Sequence, residues 1–471
     1  MQKRLKTLSY LLFMVITTCC TKLLGENQTP TVSPVLSGDE LPFRLTLELE
    51  SFSLPNGLHS FVSASYEGKW LLLAGRTDGL NDLNDPNNFS AASQNKIVYV
   101  IDPVKRTVEF KSLADPTSGL TQQQIDQLSV SSPQFYQDKK TLYIAGGYGF
   151  DSTTGLFSTK DSLTAIDMPG LIHWVTGVLP WETASRHLRQ TFNAVFQVAG
   201  GYMSHTRKNG TLLIFGQNNT TYNQQVRRFH IKDSGKKLSV YVHKALPKIP
   251  NANFQRRDLN IVPIIHHVFD IPIPAFAALG GVFTPSGGVW TVPVLIDLDG
   301  KAKMEDPEEA ETFKQAMNQY ACPSLKVYSK HRKNMYISLF GGISYGFFEN
   351  NVFQTDPELP FINQISTVSL DKNGEFKQYL MKNQFPTILS SGVNPGNPFL
   401  FGAGAQFIPA DDLPSYGNGV LKLDQLGHKS KVIGYIVGGI RSTLPITSTP
   451  ADSSASPYIF RVILKGVRRI K

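Results

Sequence analysis

Two short arginine clusters are the residues of this chain best suited to chemistry: Arg186-His187-Leu188-Arg189 and Arg256-Arg257-Asp258. A guanidinium presents its donors as a rigid fork that matches a carboxylate or phosphate two bonds at a time. If both clusters and His59 gathered at one opening, that opening would be cationic, and an anionic ligand would suit it. Arg186 and Arg257 are the strongest single candidates. The same residues have a purely structural reading, because a half-buried arginine needs a partner in any case and Asp258 stands next to Arg257. Acid–base chemistry would need a carboxylate or an imidazole beside the arginines, and Glu182 and His187 are the nearest in sequence. The residue types alone assign no catalytic group.

These residues must be positioned by strands. TLYIAGG (141–147) is an alternating apolar run that stops on two glycines, and the stop recurs. WLLLAG, TLLIFG, FAALGG, MYISLFGG and KVIGYIVGG end on Gly75, Gly216, Gly281, Gly342 and Gly439, which makes six copies in all. A short run precedes each copy, as in Ser60–Ala64 and Asn260–Ile265. A polar loop and one or two more alternating runs follow, such as Lys96–Asp102 with Thr107–Phe110 and Leu163–Asp167 with Ile172–Trp174, and all of these runs are expected as strands. Four antiparallel strands per unit and six units around an axis make a β-propeller. Pro42–Glu50 alternates cleanly ahead of the first unit, while the sixth unit has no fourth strand after Tyr458–Leu464. The N-terminal strand is therefore expected to complete the last blade and remove its exposed edge.

The pattern resembles the kelch-repeat family, in which a strand ends in Gly-Gly, a polar loop follows, a second strand carries an Asp, and a Trp comes after a short turn. Gly146-Gly147, Ala165-Ile166-Asp167 and Trp174 of the second unit fit it best. Ala74 and Phe110 depart from it in the first unit, Gly216 stands alone in the third, and the units are longer than the kelch period of about 50 residues. The resemblance covers roughly 55–465 and implies an all-β, six-bladed propeller of four-stranded antiparallel blades, with binding residues on loops and around the channel. It also implies two enzyme comparisons. Galactose-oxidase-like copper chemistry would need paired histidines and a cross-linked cysteine, whereas His266-His267 and Tyr320 with Cys322 lack the spacing, so no metal and no cofactor is expected. A sialate-type mutarotase, acting on an acidic sugar, is the better enzymatic alternative to a binding or scaffold protein for protein or glycan ligands.

Composition agrees with a large folded unit: 41% of residues are hydrophobic and 18% charged, with 38 glycines and 29 prolines. The net charge of +9 is spread along the chain without a dense basic block, so no nucleic-acid partner is expected. Lys3, Arg4 and Lys6 followed by the apolar run Leu8–Ile16 have the layout of a secretory signal peptide. The expected organisation is a leader over 1–25, a flexible linker over 26–40 and a propeller over 41–471, located outside the cytoplasm. Cys19 is a candidate lipid acceptor, and such a lipid would be the only membrane attachment. Asp306–Tyr320, acidic at its start with lysine later, is expected to form a helix between units four and five.

Overall fold

The computed structural model describes residues 32–80, 89–179, 181–206, 210–447 and 451–467, all but Val32 belonging to the unit Ser33–Lys471. Its strands form a β-propeller. Blade 1 is the meander Val62–Tyr66, Lys69–Leu73, Ile97–Asp102 and Thr107–Ser112, hydrogen-bonded in that order. Blade 2 contains Gln134–Asp138, Thr141–Ala145, Ser162–Asp167 and Leu188–Phe192; blade 3 runs from Tyr202–Thr206 to Leu238–Leu246, and blade 4 from Asn260–Val268 to Ala302–Met304. Blade 6 is built from Ala405–Pro409, Lys431–Gly438 and Ile459–Gly466, and its fourth strand is the N-terminal Phe43–Leu49, paired antiparallel from Phe43–Gly466 to Leu49–Phe460. These five sheets have four strands each. The remaining meander, Ser324–Ser329 to Phe376–Gln384 (blade 5), lies inside a six-stranded sheet. The two extra strands pair in parallel at its margins, Val35–Ser37 on the last strand and Leu421–Lys422 on the first. The end of the stretch expected to be a linker is thus a strand on blade 5, and the chain then crosses to close blade 6.

The apolar runs explain the packing. Along Trp70-Leu71-Leu72-Leu73, side chains alternate between two faces. Leu71 and Leu73 enter the cluster shared with Leu142 and Ile144 of blade 2, whereas Trp70 and Leu72 enter the one shared with Ile408 and Val437 of blade 6. A second strand buried on both faces has no polar positions to spare, which is why it reads as a continuous apolar run. Six such clusters fill the six gaps between neighbouring blades. The glycine stops fall at the ends of these second strands. Both residues of each stop have positive φ, and in the two departing copies Ala74 (φ 61°) and Phe215 (φ 55°) take the conformation of the missing first glycine. The second position admits only glycine, because a Cβ on Gly147 would collide with the side chain of Val130.

Two expectations are corrected. Asp306–Tyr320 is not helical but turns and extended chain. Its Gln315, Asn318 and Gln319 are fully buried: Gln315 Nε2 donates to the carbonyl of Met317 at 2.8 Å, Asn318 Oδ1 accepts from the Tyr345 N–H at 2.8 Å and Gln319 Nε2 donates to the carbonyl of Gly341 at 2.7 Å, so these amides serve backbone groups instead of a solvated helix face. Ile172-His173-Trp174, expected as a strand, lies in the helix Met168–Thr176, started by Asp167 and Pro169 and ended by Gly177 in the left-handed region (φ 67°). The outer strand of blade 2 is Leu188–Phe192 instead. Trp174, the residue that best matched the kelch pattern, is therefore on a helix.

Candidate functional site: the axial ring

One residue from each blade meets its neighbours at the axis, between one and three positions ahead of the first strand. The six are Ser60, Ser132, Gly200, Asp258, Ala321 and Gly404, and all have φ between 48° and 68°. Four links join them around the circle, each from a backbone N–H to the carbonyl of a neighbour: Gly404 to Ala321 at 2.6 Å, Ser60 to Gly404 at 2.8 Å, Ser132 to Ser60 at 2.9 Å and Gly200 to Ser132 at 2.7 Å. Two links of the six are not made among the described residues, from Asp258 to Gly200 and from Ala321 to Asp258. Both gaps flank Asp258. The Gly200 carbonyl, which Asp258 would have used, accepts instead from Gln134 Nε2 at 2.7 Å.

Immediately before each ring residue, the chain pairs with the residue that follows its own glycine stop. The pairs are His59 with Arg76, Ser131 with Tyr148, Ala199 with Gln217, Arg257 with Val282 and Tyr320 with Ile343, and in blade 6 Ile440 donates to Ala403. The two halves of this layer differ in chemistry. Blades 1 to 3 supply mostly polar or charged side chains. In blades 4 to 6, Val282, Tyr320, Ile343, Phe361, Ala403 and Ile440 form a seventh apolar cluster.

Blade 1 holds a paired charge network. Arg76 is 1% exposed, and its guanidinium grips Asp78 with two bonds, donates from Nη2 to the Ser90 carbonyl at 3.1 Å and lies 3.7 Å from the centre of the Phe89 ring. His59 stands between Asp78 (Nε2 to Oδ1, 3.4 Å) and Ser60 (Nδ1 to Oγ, 3.1 Å). Burial pushes the His59 imidazole down, more than the hydrogen bond and charge of Asp78 raise it, so it is neutral near pH 7. Burial opposes ionisation of Asp78 too, but hydrogen bonds from His59 and Arg76 outweigh it and hold the carboxyl well below the usual range.

Blade 4 is different. Arg256 has no exposure at all and no carboxylate partner: Nη2 donates to Val292 O at 2.8 Å, Nη1 to Gly280 O at 3.3 Å, and the Trp290 ring centre lies 4.5 Å away. Desolvation pushes its pKa down to about 9. Arg257 lies over Phe283 at 5.1 Å, its Nε 3.5 Å from Asp258 Oδ2 without forming a hydrogen bond. The Asp258 side chain is 52% exposed, yet protein surrounds it closely enough that desolvation raises its pKa against the pull of Arg257. Exposure to water and desolvation by protein coincide for a group inside a concavity, which is where an axial ring residue sits. Beside it, the position of a Cβ on Gly200 has no atom within 4 Å. Burial also raises the Tyr320 phenol, with the charge of Asp258 adding to it.

The expected convergence of arginines does not occur. Arg186 and His187 belong to a short 3-10 turn, Ala184–His187, and Arg189 to the outer strand of blade 2, so they do not lead into the inner strand of blade 3. Arg186 is exposed. His187 pairs with Glu182 at 2.7 Å, and Arg189 holds Asp233 at the end of the third strand of blade 3, Val226–Asp233, with bonds of 2.8 and 2.6 Å, a tie between neighbouring blades. Only His59 and Arg257 of the expected residues adjoin the ring, with Arg256 buried behind it. Cys322 is buried, and desolvation pushes its thiol up to about 12, while His267 bonds the Tyr328 hydroxyl at 2.9 Å. Cys19 and residues 1–25, where a leader is expected, lie outside the described residues. Arg76 and Asp78 were not expected at the site. Aligning the residue after each glycine stop would have set Arg76 against Tyr148, Gln217, Val282, Ile343 and Ile440, where a buried charge stands out.

No family model matches the chain, and no curated protein matches it. Among solved structures it is similar to that of YjhT, at 11% identity and a TM-score of 0.45, over 88% of this chain and 99% of that one.

Proposed function

We propose that this protein is a binding propeller that takes its ligand at the axial mouth, as a segment of a protein or glycan reaching the ring. The observation that carries the reading is the ring itself: four of its links are made, and the two gaps on either side of Asp258 leave an exposed carboxylate and the unlinked backbone N–H groups of Asp258 and Ala321 at the axis. Buried polar groups in folded proteins are ordinarily paired, so unpaired ones at a concave opening are suited to a ligand. The sugar-acid mutarotase reading has less support, because it calls for several arginines around one carboxylate and only Arg257 adjoins Asp258. We propose in addition that the protein works outside the cytoplasm, on the strength of the basic and apolar start of residues 1–25, with Cys19 as a lipid acceptor.

Ser132→Trp tests the location, since a large side chain at this partly exposed ring position obstructs the axis without touching the blade cores. Ligands found by screening glycans and extended peptides against the full chain should lose binding to Ser132→Trp while the protein stays folded, with a loss of stability of no more than about 1–2 kcal/mol from a bulky residue in the left-handed conformation that Ser132 holds (φ 50°). Equal binding by the variant would place the site away from the axis.

A further inference from the structure

We infer that the open part of the ring is a subsite for a zwitterion of the α-amino-acid type, its ammonium on Asp258 and its carboxylate on Arg257 and the free N–H groups. The inference rests on the axial mouth being the binding site and names the chemistry it takes.

Two sets of unused groups lie together there. The acceptors are the Asp258 carboxylate, which takes no hydrogen bond from any described residue, and the Asp258 backbone carbonyl, which takes none either. An ammonium has three donors and no acceptor, and a charged acceptor gives it its strongest bonds. The donors are the N–H groups of Asp258 and Ala321, both left over by the missing ring links, and the Arg257 guanidinium, whose side chain is partly exposed and makes no hydrogen bond to a described residue. A carboxylate accepts from such a set. A plain cation would leave the three donors unused and face the Arg257 charge. A plain anion would leave the acceptors unused and face Asp258. Only a ligand with both poles a few ångströms apart uses both sets. The Arg257–Asp258 contact at 3.5 Å is a loose pair that opens toward such a ligand, with Phe283 holding the guanidinium on one side. The space beside Gly200 gives it room.

The other candidates are weaker. The Ser60–His59–Asp78 row is linked, but the Ser60 N–H that could serve a reacting group is already spent on Gly404. The exposed tip Phe269, with Lys333 beside it on Asp270, has nothing that names an occupant.

The test uses leucine, leucine methyl ester and N-acetylleucine, with the backbone amide signals of Gly200, Ala321 and Gly404 as the readout in full-length protein. Leucine should shift these signals saturably, and each blocked form should bind at least about 10-fold more weakly, as expected when a charged hydrogen-bonded pole is lost. Asp258→Asn should remove the preference for leucine over N-acetylleucine, and Arg257→Gln the preference over the ester. Asparagine tolerates the left-handed backbone that Asp258 adopts, so the first variant keeps the fold. Equal binding of the ester would overturn the inference in favour of a cation site, equal binding of N-acetylleucine in favour of an anion site, and no shift with any of the three would overturn it outright. A larger ligand still blocked by Ser132→Trp would then show that the axial mouth binds and only its chemistry was misassigned.

Discussion

Blades 1 and 4 bury an arginine near the same level of the propeller and do it in opposite ways. Arg76 is neutralised by Asp78, with His59 as the next partner, and the ring residue of that blade, Ser60, is linked on both sides. Arg256 is solvated by carbonyls and an aromatic face, and the ring residue beyond it, Asp258, is linked on neither. In blade 1 the carboxylate is consumed by the fold. In blade 4 the arginine needs no carboxylate, and the acid two positions on is left to face the channel. A buried charge therefore says little about function until its partners are counted; the group to look for is the one the fold did not need.

The comparison can be broken by mutation, and the largest effect belongs to blade 1. Arg76→Met leaves Asp78 enclosed without its cation, and removing one partner of a buried pair costs about 3–5 kcal/mol. Denaturant unfolding should show that loss, and adding Asp78→Asn should recover much of it. Arg256→Met strands no carboxylate but leaves the carbonyls of Gly280 and Val292 without a donor, at about 1–3 kcal/mol for such groups. If Arg256→Met proves the costlier of the two, the contrast between the blades is wrong. A smaller effect is expected from pH. The His59 pKa is lowered by folding, so the unfolded chain binds the proton more readily, and stability from this group is complete above about 6.5 and lost as pH falls below it. Unfolding midpoints should decline between pH 7 and 5, and His59→Gln should flatten that decline; an identical slope in the variant would remove His59 from the network's titration. The smallest change in stability is expected for Asp258→Asn, within about 0.5 kcal/mol, since its one charged contact, the 3.5 Å pair with Arg257, is partly exposed and not a hydrogen bond. A large loss there would mean that Asp258 is structural after all.

Much of this architecture was legible in the sequence. The six glycine stops mark the second strands because only glycine fits the second position of the turn, and Pro42–Glu50 closes blade 6 because that unit lacks a fourth strand. Asp167, Pro169 and Gly177 also announced the helix Met168–Thr176, although the apolar Ile172 and Trp174 within it suit a strand equally well. The buried amides of Asn318 and Gln319 could not be read, since their partners, the Tyr345 N–H and the Gly341 carbonyl, are backbone groups more than twenty residues away. The site was legible only in part. His59 and Arg257 lie next to the ring, but reading Arg186 and Arg189 as the entry to the third unit's first strand grouped them with it, and Asp258 drew attention only as a possible partner of Arg257. Which ring links are made depends on backbone positions from six blades, and no local pattern carries that information.

Amide hydrogen exchange resolved at the six ring residues tests the central claim most directly. The account predicts slow exchange at Ser60, Ser132, Gly200 and Gly404, whose N–H groups are bonded around the axis, and fast exchange at Asp258 and Ala321 until a ligand occupies the mouth. Equal protection at all six in the free protein would mean that the ring is closed and that Asp258 has nothing to offer a ligand.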